Sequence, residues 1–585
     1  MAIFSPSESP SIVVKEVDLT GGVPNVQSTT GAIVGDYRWG PVRQATLVDT
    51  EAGLASTFGS PTATNAVDFY SAVQFLRYSS SLYVVREVTS AAKNAVSNSS
   101  SLAETVLVRN KDHYDTLSFG MDTADTQTGL WIAKYPGTLG NSLKVSICAP
   151  DGFGGWGYAS EFDRAPSSSP YAVDRGGQND EVHVVVIDED GDITGTPGTV
   201  LERFAHLSVA SDAKTTDGSS NYVKDVVNSR SRWIWFGTWE EDADSDGTSE
   251  VSSFTNAGSA AANTTFNASA AVAVTTSLAG GVNSGSLTTS EYATGLDLFD
   301  DKDTIQVDFL IAPGMSELGE QVTVVNDFHA TARSLRKDCV VVASPHRSAV
   351  VNNASPNADI VTWANQGPLT RDSYLVVDNN YLKVYDKYND QYIYIPAASS
   401  TAGIMAASDA SAAPWFSPAG PRRGQYLGVT QLAYSPTKTE RDTLYKAGVN
   451  PISNIPGQGV LLFGDKTFMN RPSAFDRINV RRLFLVIERA ISLAARNVMF
   501  EFNDEFTRAE FVNVVEPFLR EIQGRRGITD FRVVCDETNN TAAVVDRNEF
   551  IANIFIKPAR SINYITLNFV AVRTGVDFEE VVGQV

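Results

Sequence analysis

Cysteine is nearly absent from this chain: Cys148, Cys339 and Cys535 are the only three in 585 residues. Odd in number and far apart, they support neither a disulfide framework nor a cysteine-based zinc site, and they fit a reducing compartment. Histidine is almost as scarce. His113, His183, His206, His329 and His346 form no His-x-x-x-His or His-Glu-x-x-His spacing, so each reads as an ordinary strand, helix or loop residue. No apolar run approaches the ~20 residues of a membrane span. Met1-Ala-Ile-Phe-Ser-Pro-Ser-Glu8 lacks the basic start and long apolar stretch of a signal peptide, so no membrane insertion is expected. Basic charge is in deficit, with 46 Lys+Arg against 68 Asp+Glu and a net charge of −22. Phosphate binding needs clustered cations, so no direct contact with nucleic acid is expected.

What remains is an ordinary globular composition, 43% hydrophobic and 19% charged, long enough for three or four domains. The charge is uneven. Residues 421–585 hold 21 Lys+Arg and 19 Asp+Glu, whereas residues 91–290 hold 12 and 25. Such asymmetry points either to parts facing different surroundings or to domains that simply differ in composition.

Hydrophobic spacing organises the chain into an interrupted α/β pattern. Ile12, Val13, Val14, Lys15, Glu16 and Val17 alternate weakly as a strand ending an extended segment, bounded by Gly21-Gly22. Gly31–Pro41 reads as a strand closed by Gly-Pro, Ala66–Leu76 as a helix and Ser81–Arg86 as a short buried strand. From about 88 to 290, Gly, Ser, Thr and Asp dominate, which predicts a mostly β insertion. Within it, Val182–Ile187, an acidic Gly-containing turn and a return at Ile193 read as a hairpin. At 303 the α/β pattern resumes: strand 303–312, helix 316–336 and strand 339–344 imply a right-handed parallel crossover. Strands at 374–377, 381–385 and 391–395 follow and read as a meander. Near the C-terminus the spacing predicts one helix from Pro472 to Arg496. A second starts at Thr507 with Glu510 as its capping partner, runs through Pro517 and ends at Gly524. Strands 531–535, 550–556 and 563–572 come next, and the tail from Gly575 to Val585 is a possible further extended arm.

Motifs for chemistry are near misses. Gly459-Val-Leu-Leu-Phe-Gly464-Asp465-Lys466-Thr467 almost spells a phosphate loop, but Asp465 stands where the lysine must follow the second glycine. Asp242-Ala-Asp244-Ser-Asp246-Gly247 starts like a calcium loop, yet its twelfth position is Ser253 rather than a bidentate carboxylate. No serine sits in a Gly-x-Ser-x-Gly elbow. No catalytic residue, cofactor or metal is therefore expected. A soluble nucleotide-binding enzyme stays open only through the near-miss loop.

Several longer strings carry a resemblance. They are Trp39-Gly-Pro41, Thr57-Phe-Gly-Ser-Pro-Thr62, Tyr385-Asp-Lys-Tyr-Asn-Asp390, Trp415-Phe-Ser-Pro-Ala-Gly420, Phe475–Phe484, Asp546–Phe550 and Pro558–Phe569. Together they resemble the tail sheath proteins of T-even-type contractile-tailed phages, well over 1–87 and 300–585 and more weakly between, where Tyr135-Pro-Gly137 is the best anchor.

The resemblance implies a multidomain fold, α/β and α+β, with a mixed α/β inner domain built from both chain ends and a β-rich insertion. The division implied is 1–20 plus 440–585 as the inner assembly domain with terminal arms, 21–87 plus 300–439 as a middle α/β domain, and 88–299 as the outer insertion. Only 44 positions separate Glu87 from Trp131, so a protruding domain carried by longer members is expected to be missing or reduced. The implied function is a structural subunit polymerising as stacked hexameric rings around a tail tube, with baseplate and tail terminator proteins as further partners. It would contract to drive the tube through the host envelope. The implied location is the virion tail, after assembly in the host cytoplasm. A phage-like bacterial injection device, built on the same core, is the close alternative.

From the residues alone, each terminal segment is either a strand of its own sheet or an arm that pairs with a neighbour. The resemblance implies the second, with Ile12–Val17, Val576, Phe578 and Val581 as interface residues and Gly21-Gly22 as a hinge. Arg520, Arg525 and Arg526 cluster at the end of the second C-terminal helix. They are expected either to complement that helix end or to face an acidic tube.

Overall fold

The computed structural model describes residues 28–97, 106–119, 129–239, 254–267, 273–366 and 369–562. They fall into two compact units, a larger one of 28–414 and 418–489 and a smaller one of Trp415–Ser417 and 490–562.

The larger unit rests on a six-stranded sheet drawn from two distant stretches of chain. Gly31–Gly35 lies inside it, parallel to Leu82–Arg86 on one side and to Phe309–Ile311 on the other. Val340–Ala343 and Leu375–Val377 extend the parallel set, and Thr46–Val48 closes the far edge antiparallel. The strands Gly31–Gly35, Phe309–Ile311 and Val340–Ala343 are buried throughout, as parallel strands covered on both faces must be. Ala66–Leu76 forms its helix at the predicted bounds and buries Phe69, Val73 and Phe75. A Cβ at Gly31 would come 2.7 Å from the Phe75 ring, so only glycine lets that helix lie so close to the strand.

Between Leu82–Arg86 and Phe309–Ile311 the acidic stretch forms a seven-stranded antiparallel sheet. Its core holds Trp131, Ile147, Val184, Trp235 and Phe236.

Local hydrogen bonding accounts for the boundaries that differ from expectation. The hairpin starting at Glu181–Asp188 returns at Thr199–Ser208 rather than at Ile193. The Asp188 carboxylate accepts from the Thr194 amide at 2.7 Å and the Ile193 amide at 3.1 Å, which curls those residues into a loop. Leu375–Val377 is an edge of the parallel sheet, while Tyr381–Asp386 pairs antiparallel with Gln391–Pro396, so the expected three-strand meander is two strands of that run. The first C-terminal helix starts at Ile478 rather than Pro472. Lys466 and Arg477 form an antiparallel bridge, and the Ile478 amide donates to the Asp465 carbonyl at 2.9 Å, which keeps the preceding residues extended. Residues 452–462, placed by the sequence reading with the C-terminal part, form a hairpin that packs in the larger unit. Its Ile452 amide donates to the buried Asn379 side chain at 2.8 Å.

In the smaller unit the helix Glu505–Gly524 is capped by Asp504, whose carboxylate accepts from the Thr507 amide at 2.8 Å. Asp504, not Thr507, is thus the N-cap, because its shorter acidic side chain folds back onto the third amide of the first turn. The helix buries Phe511, Val515, Leu519 and Ile522 and contains Pro517. It packs beside the antiparallel ribbon Ile528–Val534 and Asn553–Pro558. The Trp415 indole donates to the Arg525 carbonyl at 3.1 Å.

Candidate assembly interface

The segments expected to join subunits lie outside the described residues: Ile12, Val13, Val14, Lys15, Glu16 and Val17, the glycines Gly21 and Gly22, and Val576, Phe578 and Val581. So does the acidic turn 242–247. Their roots and the surface that could receive such strands are visible.

The root of the N-terminal segment is Ser28. Its hydroxyl donates to Asp409 at 2.7 Å, and its carbonyl accepts from Arg482 at 3.2 Å. Arg482 also grips Asp409 with both terminal nitrogens and reaches the Met405 carbonyl at 2.9 Å. Both charged side chains are at most 4% exposed. A charge buried this far must be paired and hydrogen-bonded to be tolerated, and here the bidentate geometry supplies both.

The ribbon Ile528–Val534 with Asn553–Pro558 is the candidate recipient. Each strand pairs only with the other among the described residues, which leaves two outer edges. Residues alternate between half-buried and exposed along Asn553–Pro558. A two-stranded ribbon is marginal alone and gains stability from further strands.

The three arginines converge at the end of Glu505–Gly524. Arg520 pairs with Glu516 and Arg525 with Glu521, each at 3.5 Å, and all three side chains are exposed. Arg525 is tied in further by its carbonyl and by its guanidinium, which lies 5.1 Å from the Trp415 ring centre. Arg526 takes a left-handed backbone, φ +67°. Arg520 and Arg526 are therefore the members of the cluster best placed to meet an outside partner.

One surface feature escaped the sequence reading. In the link between the two C-terminal helices and the first turn of the second, Met499, Phe500, Phe502 and Phe506 are 57%, 100%, 84% and 77% exposed. Phe500 adopts φ +72°, a region costly for a bulky side chain. The signal was present as four large apolar residues spaced irregularly among Glu501, Asn503, Asp504 and Glu505, a pattern with no helical or strand period to bury them.

The near-miss phosphate loop resolves into structure of another kind. Gly459–Leu462 is a strand of the hairpin, and no helix begins until Ile478. Its amides thus do not converge at a helix N-terminus as a phosphate cradle requires. Asp465 accepts from Arg477 at 2.8 Å, and Lys466 donates to the Tyr445 carbonyl at 2.8 Å. Among the histidines, His183 stacks on Phe162 at 4.2 Å and accepts from the His206 amide at 3.0 Å. Burial, reinforced by His206, holds its pKa below the ordinary range. Cys148, Cys339 and Cys535 are buried thiols, and burial pushes Cys148 and Cys339 up to about 12. Among the described residues no group of three or more His, Cys, Asp or Glu is placed to hold a metal, and no helix is long and apolar enough to cross a membrane.

Comparison with known proteins agrees with the architecture. Residues 285–468 match the family described as phage tail sheath protein central domain, and residues 470–571 match phage tail sheath C-terminal domain. The tail sheath protein of Vibrio phage KVP40 is 31% identical, with 98% of this chain and 99% of that protein aligned. The tail sheath proteins of Salmonella phage ViI and Enterobacteria phage T4 are each 30% identical, covering 99% and 98% of this chain and 98% and 99% of theirs. The KVP40 alignment runs over 686 positions, more than the 585 residues of this chain, so that relative carries segments with no counterpart here. Among solved structures, a sheath tail protein from Listeria innocua shares the fold, with a TM-score of 0.54 at 13% identity over 92% of this chain and 93% of that one. A chain whose full length aligns with the sheath subunits of three contractile-tailed phages, and whose parallel sheet is interrupted by a β-rich insertion, belongs to the phage tail sheath protein family and is a structural subunit of the contractile tail.

Proposed function

We propose that this subunit polymerises as six-fold rings stacked helically around a tail tube, and that contraction of the array drives the tube through the host envelope. The observation that supports it most is the ribbon Ile528–Val534 and Asn553–Pro558, whose two outer edges are unpaired among the described residues. Main-chain hydrogen bonds to such an edge depend on strand direction rather than on side chains. A strand donated by a neighbour, Ile12–Val17 from one side or the segment around Val576, Phe578 and Val581 from another, can stay paired while Gly21-Gly22 absorbs rotation. Head-to-tail pairing of this kind does not close on itself, which suits an open helix.

The same reading gives the charge a direction. Residues 440–585 serve as the inner part with the first 20, residues 21–87 and 300–439 as the middle, and the acidic 88–299 as the outer part. Arg520, Arg525 and Arg526 face an acidic tube in the extended state. Baseplate and tail terminator proteins cap the array, which is assembled in the host cytoplasm and resides in the virion tail. The role is structural rather than enzymatic, and it needs no cofactor, direct nucleic-acid contact or membrane insertion.

Electron microscopy of the concentrated protein tests this reading, with full-length chain beside a chain lacking residues 1–20. Full-length protein is expected to form rings or tubes, and the truncated chain to remain a folded monomer with an unchanged circular dichroism spectrum. Tubes of normal yield from the truncated chain would overturn strand donation by the N-terminal arm.

A further inference from the structure

A cleft of about 490 Å³ opens in the larger unit, where residues around Trp39, the helix Lys111–Thr116 and the segment 228–235 meet. Its volume lies in the range of small-molecule sites. Its lining is unlike the rest of this acidic molecule. Lys111, Lys134, Arg230 and Arg232 contribute four cations, and no carboxylate lines it. Tyr135 and Trp233 are half-buried there, with Trp39 packed behind both at ring distances of 5.4 and 5.6 Å.

Each cation is held differently. Lys134 is only 7% exposed, its ammonium lies 3.2 Å from the Trp235 ring centre, and it donates to the Asn228 carbonyl at 3.2 Å. An ammonium has three hydrogens, so donors remain for an incoming group. Burial pulls this amine down to about 7, opposed by Glu202 and assisted by Lys111. Lys111 is paired with Asp115 along its own helix. Arg230 and Arg232 are exposed, and neither guanidinium is paired with a carboxylate among the described residues. Glu202, which acts electrostatically on Lys134, accepts from the Ser231 hydroxyl at 2.6 Å and the Arg232 amide at 2.7 Å.

We propose that this cleft is a binding site for a small ring-bearing oxyanion, either a sugar acid or a nucleoside monophosphate. The half-exposed faces of Trp233 and Tyr135 take the ring, because aromatic side chains offer large rigid contact area. The planar guanidiniums of Arg230 and Arg232 take the oxyanion in bidentate fashion, and the Lys134 amine supplies hydrogen-bond donors beneath. A net charge of −22 repels anions from the surface at large, so a cleft where two guanidiniums have no carboxylate partner among the described residues is where one can dwell. The cleft is lined by residues of one chain, and its binding is tested on the dispersed full-length protein.

Titration calorimetry with tryptophan fluorescence provides the test, using glucuronate and AMP as probes and glucose and adenosine as their uncharged counterparts. At least one oxyanion is expected to bind with a dissociation constant of about 1 mM or tighter, and its neutral counterpart at least about tenfold more weakly. The double variant Arg230→Gln/Arg232→Gln, changed only at exposed positions, is expected to keep its melting temperature and to lose about tenfold or more in affinity. Binding of glucuronate alone identifies a sugar-acid site, and binding of AMP alone a nucleoside phosphate site. Absence of saturable binding by both probes overturns the proposal. So does equal affinity for the neutral counterparts, or undiminished binding by the double variant.

Discussion

The guanidinium of Arg86 donates to the carbonyl of Pro136 at 2.7 Å, and so ties the end of a parallel strand to the β-rich insertion. The same side chain reaches the carbonyls of Tyr37 at 2.7 Å and Gly40 at 2.9 Å, and it is 1% exposed. Burial pulls its pKa down to about 10, so it remains charged at neutral pH. Replacing it with methionine leaves three or more carbonyls without their donor in a dry site. Arg86→Met is expected to cost about 3–5 kcal/mol, read as a lower urea midpoint. Arg86→Lys should lose most of this too, because an ammonium cannot reproduce the planar fork.

Much of this framework is legible from the residues. Continuous apolar runs such as Cys339–Ser344 mark buried parallel strands, and the Ala66–Leu76 helix falls at its predicted bounds. What local spacing cannot carry is long-range pairing. Leu375–Val377 has the same texture as the hairpin that follows it, yet its partner is 34 positions upstream. The Arg482–Asp409–Ser28 cluster unites three segments that no motif links. The exposed aromatics from Met499 to Phe506 were missed for the opposite reason, since apolar residues there are not core.

Asp378 gives the larger unit a pH dependence. It is fully buried and accepts from the Ser344 hydroxyl at 2.8 Å, the Asn380 amide at 3.2 Å and the Thr401 hydroxyl at 3.0 Å. Burial outweighs those bonds and raises its pKa from 3.8 to about 7. A raised acid favours the fold while neutral, so its contribution is complete below pH ~4 and is lost as the pH rises through about 7. A tenfold change in proton affinity between the folded and unfolded chain is worth about 1.4 kcal/mol, so the swing amounts to a few kcal/mol. Melting temperatures measured between about pH 5 and about pH 8 should fall for the wild type, and Asp378→Asn should flatten that slope.

Charge reversal probes the proposed tube contact. Arg520→Glu/Arg526→Glu changes exposed side chains of the C-terminal helix end and leaves Arg525 with Trp415. Cosedimentation with purified tube is expected to weaken several-fold at low salt, and the wild-type interaction should fade as ionic strength rises. Unaltered cosedimentation of the variant would remove these residues from the interface.

The exposed aromatic link predicts effects of opposite sign. Phe500→Gly relieves a left-handed backbone at a fully exposed position and is expected to raise stability by up to about 1 kcal/mol. Combined with Phe502→Ser, it removes the centre of an apolar patch and should lower self-association measured by sedimentation. A monomer made more stable yet poorer at assembly would show that the strain at Phe500 serves contact between molecules.

The anchorage of Ser28 bears on how a moving sheath carries load. On the proposed strand donation, the segment before Ser28 is the line along which a neighbour loads the subunit. A pull arriving along it ends at the bidentate grip of Arg482 on Asp409, deep in the larger unit, rather than at a fraying strand end. The subunit thereby offers a fixed point inside the fold, where tension would otherwise unravel it.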